Sequence, residues 1–264
     1  MQCFPYLGHI YISLNFLKSM LQIYPVQKEY LPRAQALADL LSCPLTDAET
    51  GKAAEIALRV DEQGLALTGD GQEFRGDFRR LLPRLRHNNL SHELLVKAAR
   101  IKKADHPLTA VDATAGMGED ALLLAAAGFS VELCESNPVI AVLLQDTLDR
   151  ASADPDLAPI VSRMQVHACD SRSFLMQLLS APDVVLLDPM FPAKQKNSLM
   201  KKKFQLIHKL EQPCREEASL LEAALTAHPH KIIIKRPHKG PFLAGRKPDY
   251  SLDGKAIRYD CILL

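Results

Sequence analysis

The 264-residue sequence has no Cys-x-x-Cys pair, because its six cysteines (Cys3, Cys43, Cys134, Cys169, Cys214, Cys261) are scattered. That excludes a zinc knuckle and a thioredoxin-type motif, and no metal site is expected. Charge bias is missing too, with 32 Lys plus Arg against 31 Asp plus Glu. No global field therefore drives the chain onto nucleic acid or membrane, and any such binding must come from local clusters. No stretch reaches the ~20 uninterrupted apolar residues of a membrane span. Residues 1–24 are fairly apolar, but no basic residue precedes the run and no small-residue cleavage site follows, which argues against a signal peptide. What remains is an ordinary globular composition, 47% hydrophobic and 24% charged, in a chain long enough to build a core without disulfides. Cys134 and Cys169 sit in strand-like runs and are expected as buried thiols. A reducing, cytoplasmic compartment is the expectation.

Three regions are expected: an extension of unassigned role at 1–27, a small α/β lobe at 28–85 and a main domain at 86–264. Residues 29–73 hold nine acids against three bases. Helical spacing from Arg33 to Leu41 and two short strands around a turn (55–61 and 64–69) suggest the lobe. The sign then flips, with nine bases between Arg75 and Lys103 and only Asp77 and Glu93 against them. From Thr109 onward the pattern alternates. Strands are expected at 109–113, 130–134, 164–168, 184–187, 231–235 and 256–263, and helices at 119–128, 138–151, 171–179 and 216–227. This alternation predicts a doubly wound, mostly parallel sheet with helices on both faces. Ligands on such sheets bind beyond the carboxyl ends of the strands.

The informative residues stand at those ends. After the first strand comes Asp112-Ala-Thr-Ala-Gly116-Met-Gly118-Glu119-Asp120, where the glycines allow a tight turn and close approach of a ligand before a helix amino terminus. Glu135 follows the second strand and can accept hydrogen bonds from both hydroxyls of a ribose. Gly116-x-Gly118-x-x-Ala121 followed by that acid is also a tolerable NAD fingerprint. Asp170 follows the third strand, where an acid can meet an adenine amino group. After the fourth comes Asp188-Pro189-Met190-Phe191-Pro192, similar to the Asp/Asn-Pro-Pro-aromatic motif of methyltransferases that act on exocyclic amino nitrogens of nucleobases. There Asp188 and the Pro189 carbonyl hold the amino group in line with a donor methyl, and Phe191 offers a stacking face worth ~1–3 kcal/mol. A dehydrogenase has no need of that motif.

Val111-Asp-Ala-Thr-Ala-Gly-Met-Gly, Glu135-x-Asn137-Pro138, Asp188-Pro-Met-Phe-Pro-x-Lys194-Gln-Lys and Ile234-Lys235-Arg236-Pro237 together resemble the ribosomal RNA small subunit methyltransferase J family over roughly residues 28–264. The resemblance implies a seven-stranded, Rossmann-like class I methyltransferase fold, and transfer of methyl from S-adenosylmethionine to guanine N2 in 16S rRNA. It puts Glu119-Asp120, Glu135-Ser136, Asp170-Ser171 and Asp188 on cofactor-contacting positions. Glu119 and Ser136 stand where arginine is usual, and His87-Asn-Asn-Leu-Ser-His92 replaces the family's glycine-rich linker.

Lys194, Lys196, Lys201, Lys202 and Lys203 follow the Asp188 motif, and six more bases lie between Lys231 and Lys247, Lys235 and Arg236 among them. Both runs are expected to rim one mouth and grip phosphates of 16S rRNA or of the small ribosomal subunit around a splayed-out guanine. No membrane association and no obligate protein partner are expected. The rival readings are adenine-N6 methylation, methylation of a protein amine, an NAD-dependent oxidoreductase and a non-catalytic RNA-binding protein. The last would show damage at Gly116, Glu135 or Asp188, and none is damaged. Only the resemblance favours guanine N2 over adenine N6.

Overall fold

A computed structural model describes residues 20–102, 105–189, 206–207, 209–210 and 216–264. The chain divides into two compact units. One spans residues 1–76 with 197–211, and the other 77–196 with 212–264.

In the first unit four strands pair in chain order, β1 (Leu21–Pro25), β2 (Ile56–Asp61), β3 (Gly64–Gly69) and β4 (Gln72–Phe74). β1 and β2 run parallel and the other pairs antiparallel. β1 lies in the stretch expected to be an extension, yet Leu21 and Ile23 are fully buried. Helix α1 (Leu31–Leu41) carries Pro32 at its start, where the missing N–H costs nothing. Helix α2 (Ala48–Ala53) is capped by Asp47, which accepts from Thr50 N at 2.8 Å. Much of the acidic charge is internally paired: Asp61 accepts from Arg59 at 2.8 Å and from Arg75 at 2.7 Å.

The second unit is built on a seven-stranded sheet of order β10-β11-β9-β8-β5-β6-β7. Its strands are β5 (Thr109–Asp112), β6 (Ser130–Glu135), β7 (Met164–Ala168), β8 (Val184–Leu187), β9 (Lys231–Pro237), β10 (Tyr250–Asp253) and β11 (Ile257–Leu263). β5 to β9 are mutually parallel, and β11 runs antiparallel to both β9 and β10. Val184 to Leu187 are all fully buried, as a strand covered on both faces requires. One face packs against α3 (Leu94–Ala99), α4 (Glu119–Ala126) and α5 (Pro138–Ser152). The other packs against α6 (Ser171–Met176) and α7 (Glu217–Thr226). The expected doubly wound fold is therefore present, with β10 added at its edge. From β5 the chain steps to β6 and β7 on one side, then returns to β8 on the other. The strand order thus reverses between β5 and β8, so Asp112 and Asp188 flank the switch point, where such sheets bind ligands.

No helix among the described residues is long and apolar enough to cross a membrane, and no described cluster of His, Cys, Asp and Glu could hold a metal ion. Cys134 is buried and Cys169 half-buried, both as free thiols.

Candidate active site

The loop leaving β5 turns on two glycines in the left-handed region, Gly116 at φ 52° and Gly118 at φ 73°. They serve different ends. A Cβ on Gly118 would stand 2.7 Å from Leu144 Cδ1, so this glycine lets α4 pack tightly, whereas a Cβ on Gly116 would meet open space. The Gly116 backbone is thus the part of the loop that a ligand can approach.

Glu135 is fixed from both sides. Its Oε2 accepts from Gly116 N at 2.9 Å and its Oε1 from Asn137 N at 2.7 Å. Burial pushes its carboxyl above the ordinary range, against the N–H groups of Asn137, Gly116 and Ser136. Each oxygen keeps a lone pair in a fixed direction, which suits a diol. Asn137 in turn caps α5, accepting from Val139 N at 2.9 Å. The Ser136 side chain is exposed and Ser171 is buried. Asp170 caps α6 through Arg172 N at 2.9 Å and also binds the Arg172 guanidinium. Burial raises the Asp170 carboxyl, but Arg172 outweighs it and holds the group below the ordinary range.

Across the switch point three further acids converge. Asp112 is buried, and desolvation together with the charges of Asp120 and Asp188 lifts its carboxyl to about 8. It is therefore protonated at neutral pH and can donate. Asp188 follows β8, with its backbone N–H donated to Thr114 Oγ1 at 2.6 Å. Desolvation raises its carboxyl, opposed mainly by Lys235. Lys235 Nζ stands 2.6 Å from Asp120 Oδ2 and 2.9 Å from Asp188 Oδ2. Desolvation would lower the ammonium, but Asp120 and Asp188 outweigh it and hold it well above its usual range. Tyr259 on β11 pairs across with Lys235. Its phenol is raised by burial and by Asp120.

The site expected from the sequence therefore assembles around Asp112, Gly116, Asp120, Glu135 and Asp188, with Pro189 buried beside Asp188. Glu119 is turned to Arg80 at 2.9 Å. The basic rim needs correction. Lys231 begins β9 at the opposite edge and is buried, donating to Ala98 O at 2.6 Å. Lys235 is committed to two carboxylates. The Arg236 side chain is 0% exposed, bonding Pro241 O and paired with Glu217. Of the six bases from 231 to 247, Lys239, Arg246 and Lys247 are the exposed ones. Phe191, Lys194, Lys196 and Lys201 to Lys203 lie outside the described residues. Thr114 and Tyr259 were missed in the sequence: a threonine between two alanines looks like loop filler, and Tyr259 is linked to Lys235 only by strand register.

Comparison with known proteins agrees with this geometry. The model of a family of SAM-dependent methyltransferases matches residues 44–263. Ribosomal RNA small subunit methyltransferase J of Pseudomonas paraeruginosa is 37% identical over 247 residues, 91% of this chain and 93% of that protein. Its counterpart from Dechloromonas aromatica is 39% identical over 238 residues, 86% of this chain and 93% of that one. The crystal structure of a SAM-dependent methyltransferase from Neisseria gonorrhoeae superposes with a TM-score of 0.69 at 26% identity, covering 92% of this chain and 95% of that one. With the sheet order, the glycine turn and the acids at the strand ends giving a nucleotide-cofactor site, these matches show that the chain belongs to the ribosomal RNA small subunit methyltransferase J family of SAM-dependent methyltransferases.

Proposed function

We propose that the protein transfers a methyl group from S-adenosylmethionine to the exocyclic N2 of a guanosine in 16S rRNA, in the cytoplasm, giving N2-methylguanosine. The observation that carries this reading is Asp188: a half-exposed carboxylate at the switch point, one oxygen held by Lys235, directly before Pro189 and the Met-Phe-Pro of a nucleobase amino-methyltransferase motif. The names of the relatives supply the substrate class.

The cofactor supplies an electrophilic methyl on a sulfonium. Glu135 holds the ribose hydroxyls, with Gly116 N–H and Asn137 N–H keeping its carboxylate in place. Asp120, Asp170 with Ser171, and Asp112 complete the cofactor-facing set, Asp112 as a neutral donor; Glu119 and Ser136 are peripheral to it. Asp188 Oδ1 and the Pro189 carbonyl accept from the two hydrogens of the guanine amino group, which aims the nitrogen lone pair at the methyl. That amino group is a poor base, so its proton need not leave before attack. Asp188 then stabilises the positive charge that develops on nitrogen, and the proton departs to water or to the carboxylate. Phe191 is assigned the stacking face. Lys194, Lys196 and Lys201 to Lys203, together with the exposed Lys239, Arg246 and Lys247, are assigned to RNA phosphates.

The test is transfer of labelled methyl to small-subunit rRNA and to subunits lacking the modification, followed by nucleoside analysis. Labelled N2-methylguanosine is the expected product. Label in N6-methyladenosine would overturn the base assignment, and no label with the cofactor still bound would overturn the substrate.

A further inference from the structure

We infer that Lys235 is a positioning residue for methyl transfer, which locks Asp188 by one oxygen and leaves the other as the acceptor for the target amino group. The inference rests on the proposed use of Asp188 as that acceptor. It replaces the phosphate-gripping role that the position of Lys235 in a basic run had suggested.

The geometry is that of a clamp. Lys235 Nζ reaches Asp188 Oδ2 at 2.9 Å and Asp120 Oδ2 at 2.6 Å, and the lysine side chain is only 24% exposed. With its backbone N–H fixed to Thr114 Oγ1, Asp188 is held at both ends. Its Oδ1 accepts no hydrogen bond from any described residue. One ammonium thus ties together the ends of β8 and β9 and the first turn of α4, three elements that meet at the switch point.

Charge makes the clamp necessary. Asp112, Asp120 and Asp188 crowd one place: the charge of Asp120 raises the proton affinity of both Asp112 and Asp188, and Asp188 raises that of Asp112. The described groups that act on Asp188 are Lys235 and Arg236 from β9 and Asp120 from α4, and Asp188 in turn raises Asp112 on β5 and Tyr259 on β11. Arg236 is turned toward Glu217 and Pro241, and Arg84, which acts on Tyr259, is held bidentately by Glu93 at 2.7 and 2.8 Å. Among the described residues Lys235 is therefore the cation in direct contact with Asp188. It opposes the desolvation and the Asp120 charge that favour protonation of the carboxyl, and so favours the acceptor form.

Two variants test this, Lys235→Met and Lys235→Arg, with Lys235→Gln as the neutral replacement if methionine prevents folding. The first readout is the carboxyl carbon titration of Asp188 by NMR, assigned with Asp188→Asn, in protein without any substrate. Loss of the ammonium is expected to move the midpoint up by about 1–3 pH units, and arginine to restore most of it. The second is the pH profile of single-turnover methylation. Its acid limb is expected to move up with the midpoint, with the rate at pH 7 down roughly 10-fold or more and recovering at higher pH. An unmoved midpoint overturns the inference, whether or not the rRNA reading holds. So does an unmoved acid limb with RNA affinity lost and the salt slope reduced by about 0.7–0.9, the mark of a phosphate contact. No methyl transfer by the unaltered protein counts against the proposed function alone, because the titration still judges Lys235.

Discussion

The two ends of strand β8 carry the same side chain and treat it in opposite ways. Asp183, just before the strand, is 2% exposed and saturated. It accepts from Thr109 N at 2.8 Å, Thr109 Oγ1 at 3.2 Å, His106 Nε2 at 2.9 Å and His230 Nδ1 at 3.0 Å. Burial pushes it up, but the Thr109 N–H and His106 outweigh burial and hold the carboxyl below its ordinary range. Asp188, just after the strand, is 41% exposed on its side chain, tied by one oxygen, and raised. Across the sheet Asp112 is raised further. One edge of the sheet fastens strands together with a satisfied carboxylate. The other gathers acids whose partners among the described residues do not match their number, the usual mark of a site kept for a ligand rather than for stability.

The sharpest way to break this contrast is at Asp188. Asp188→Ala is expected to lower kcat roughly 100- to 1,000-fold while leaving RNA affinity intact, measured by single-turnover transfer and filter binding. Unchanged turnover would remove Asp188 from the reaction. Next in size is Glu135→Ala, expected to weaken cofactor binding ~10–150-fold by calorimetry, the loss of charged hydrogen bonds to a diol.

A third expectation concerns stability at the amino edge. Asp183→Asn removes a charged acceptor under Thr109 and two histidines, and is expected to cost about 1–3 kcal/mol in denaturant unfolding. Because the folded carboxyl is lowered, its contribution is present above about pH 4 and lost as pH falls through the folded value. The His106 ring is raised by Asp105 and Asp183, so its share is present below about pH 6.5 and lost as pH rises through the folded value. The penalty should therefore be deepest in mildly acid solution. A fourth expectation has the opposite sign. Asp112 titrates at about 8 in the fold, against about 3.9 unfolded, so folding takes up a proton between these values and stability falls as pH rises across that window. Asp112→Asn should flatten that slope by about one proton. A slope unchanged in the variant would show that Asp112 is not protonated in the fold.

Much of the carboxyl edge was legible because a parallel sheet announces itself. Val184–Leu187 is a short apolar run between turns, and Asp112, Glu135, Asp170 and Asp188 each come directly after such a run. The seven-stranded fold and the family followed from these residues. Direction was not legible in the same way. Lys231, Lys235 and Arg236 sit in one basic stretch, yet the first caps the wrong edge, the second points at carboxylates and the third is buried. Pleat and the antiparallel partner β11 decide this, and neither leaves a mark in the local sequence. β1, β4 and β10 escaped because three to five residues at an edge carry too little alternation to stand out. Asp183 escaped for another reason: its partners Thr109, His106 and His230 are brought to it by the parallel crossovers, from 74, 77 and 47 residues away.

The contrast between the two ends of β8 is most directly tested by one paired experiment, in which Asp183→Asn and Asp188→Asn are each measured for unfolding free energy and for single-turnover methyl transfer. Opposite patterns are expected. Asp183→Asn should lose stability and keep the rate per folded molecule, and Asp188→Asn should lose the rate and keep or gain stability. If both variants lost rate and stability in equal proportion, the division of the sheet into a fastening edge and a reacting edge would be contradicted.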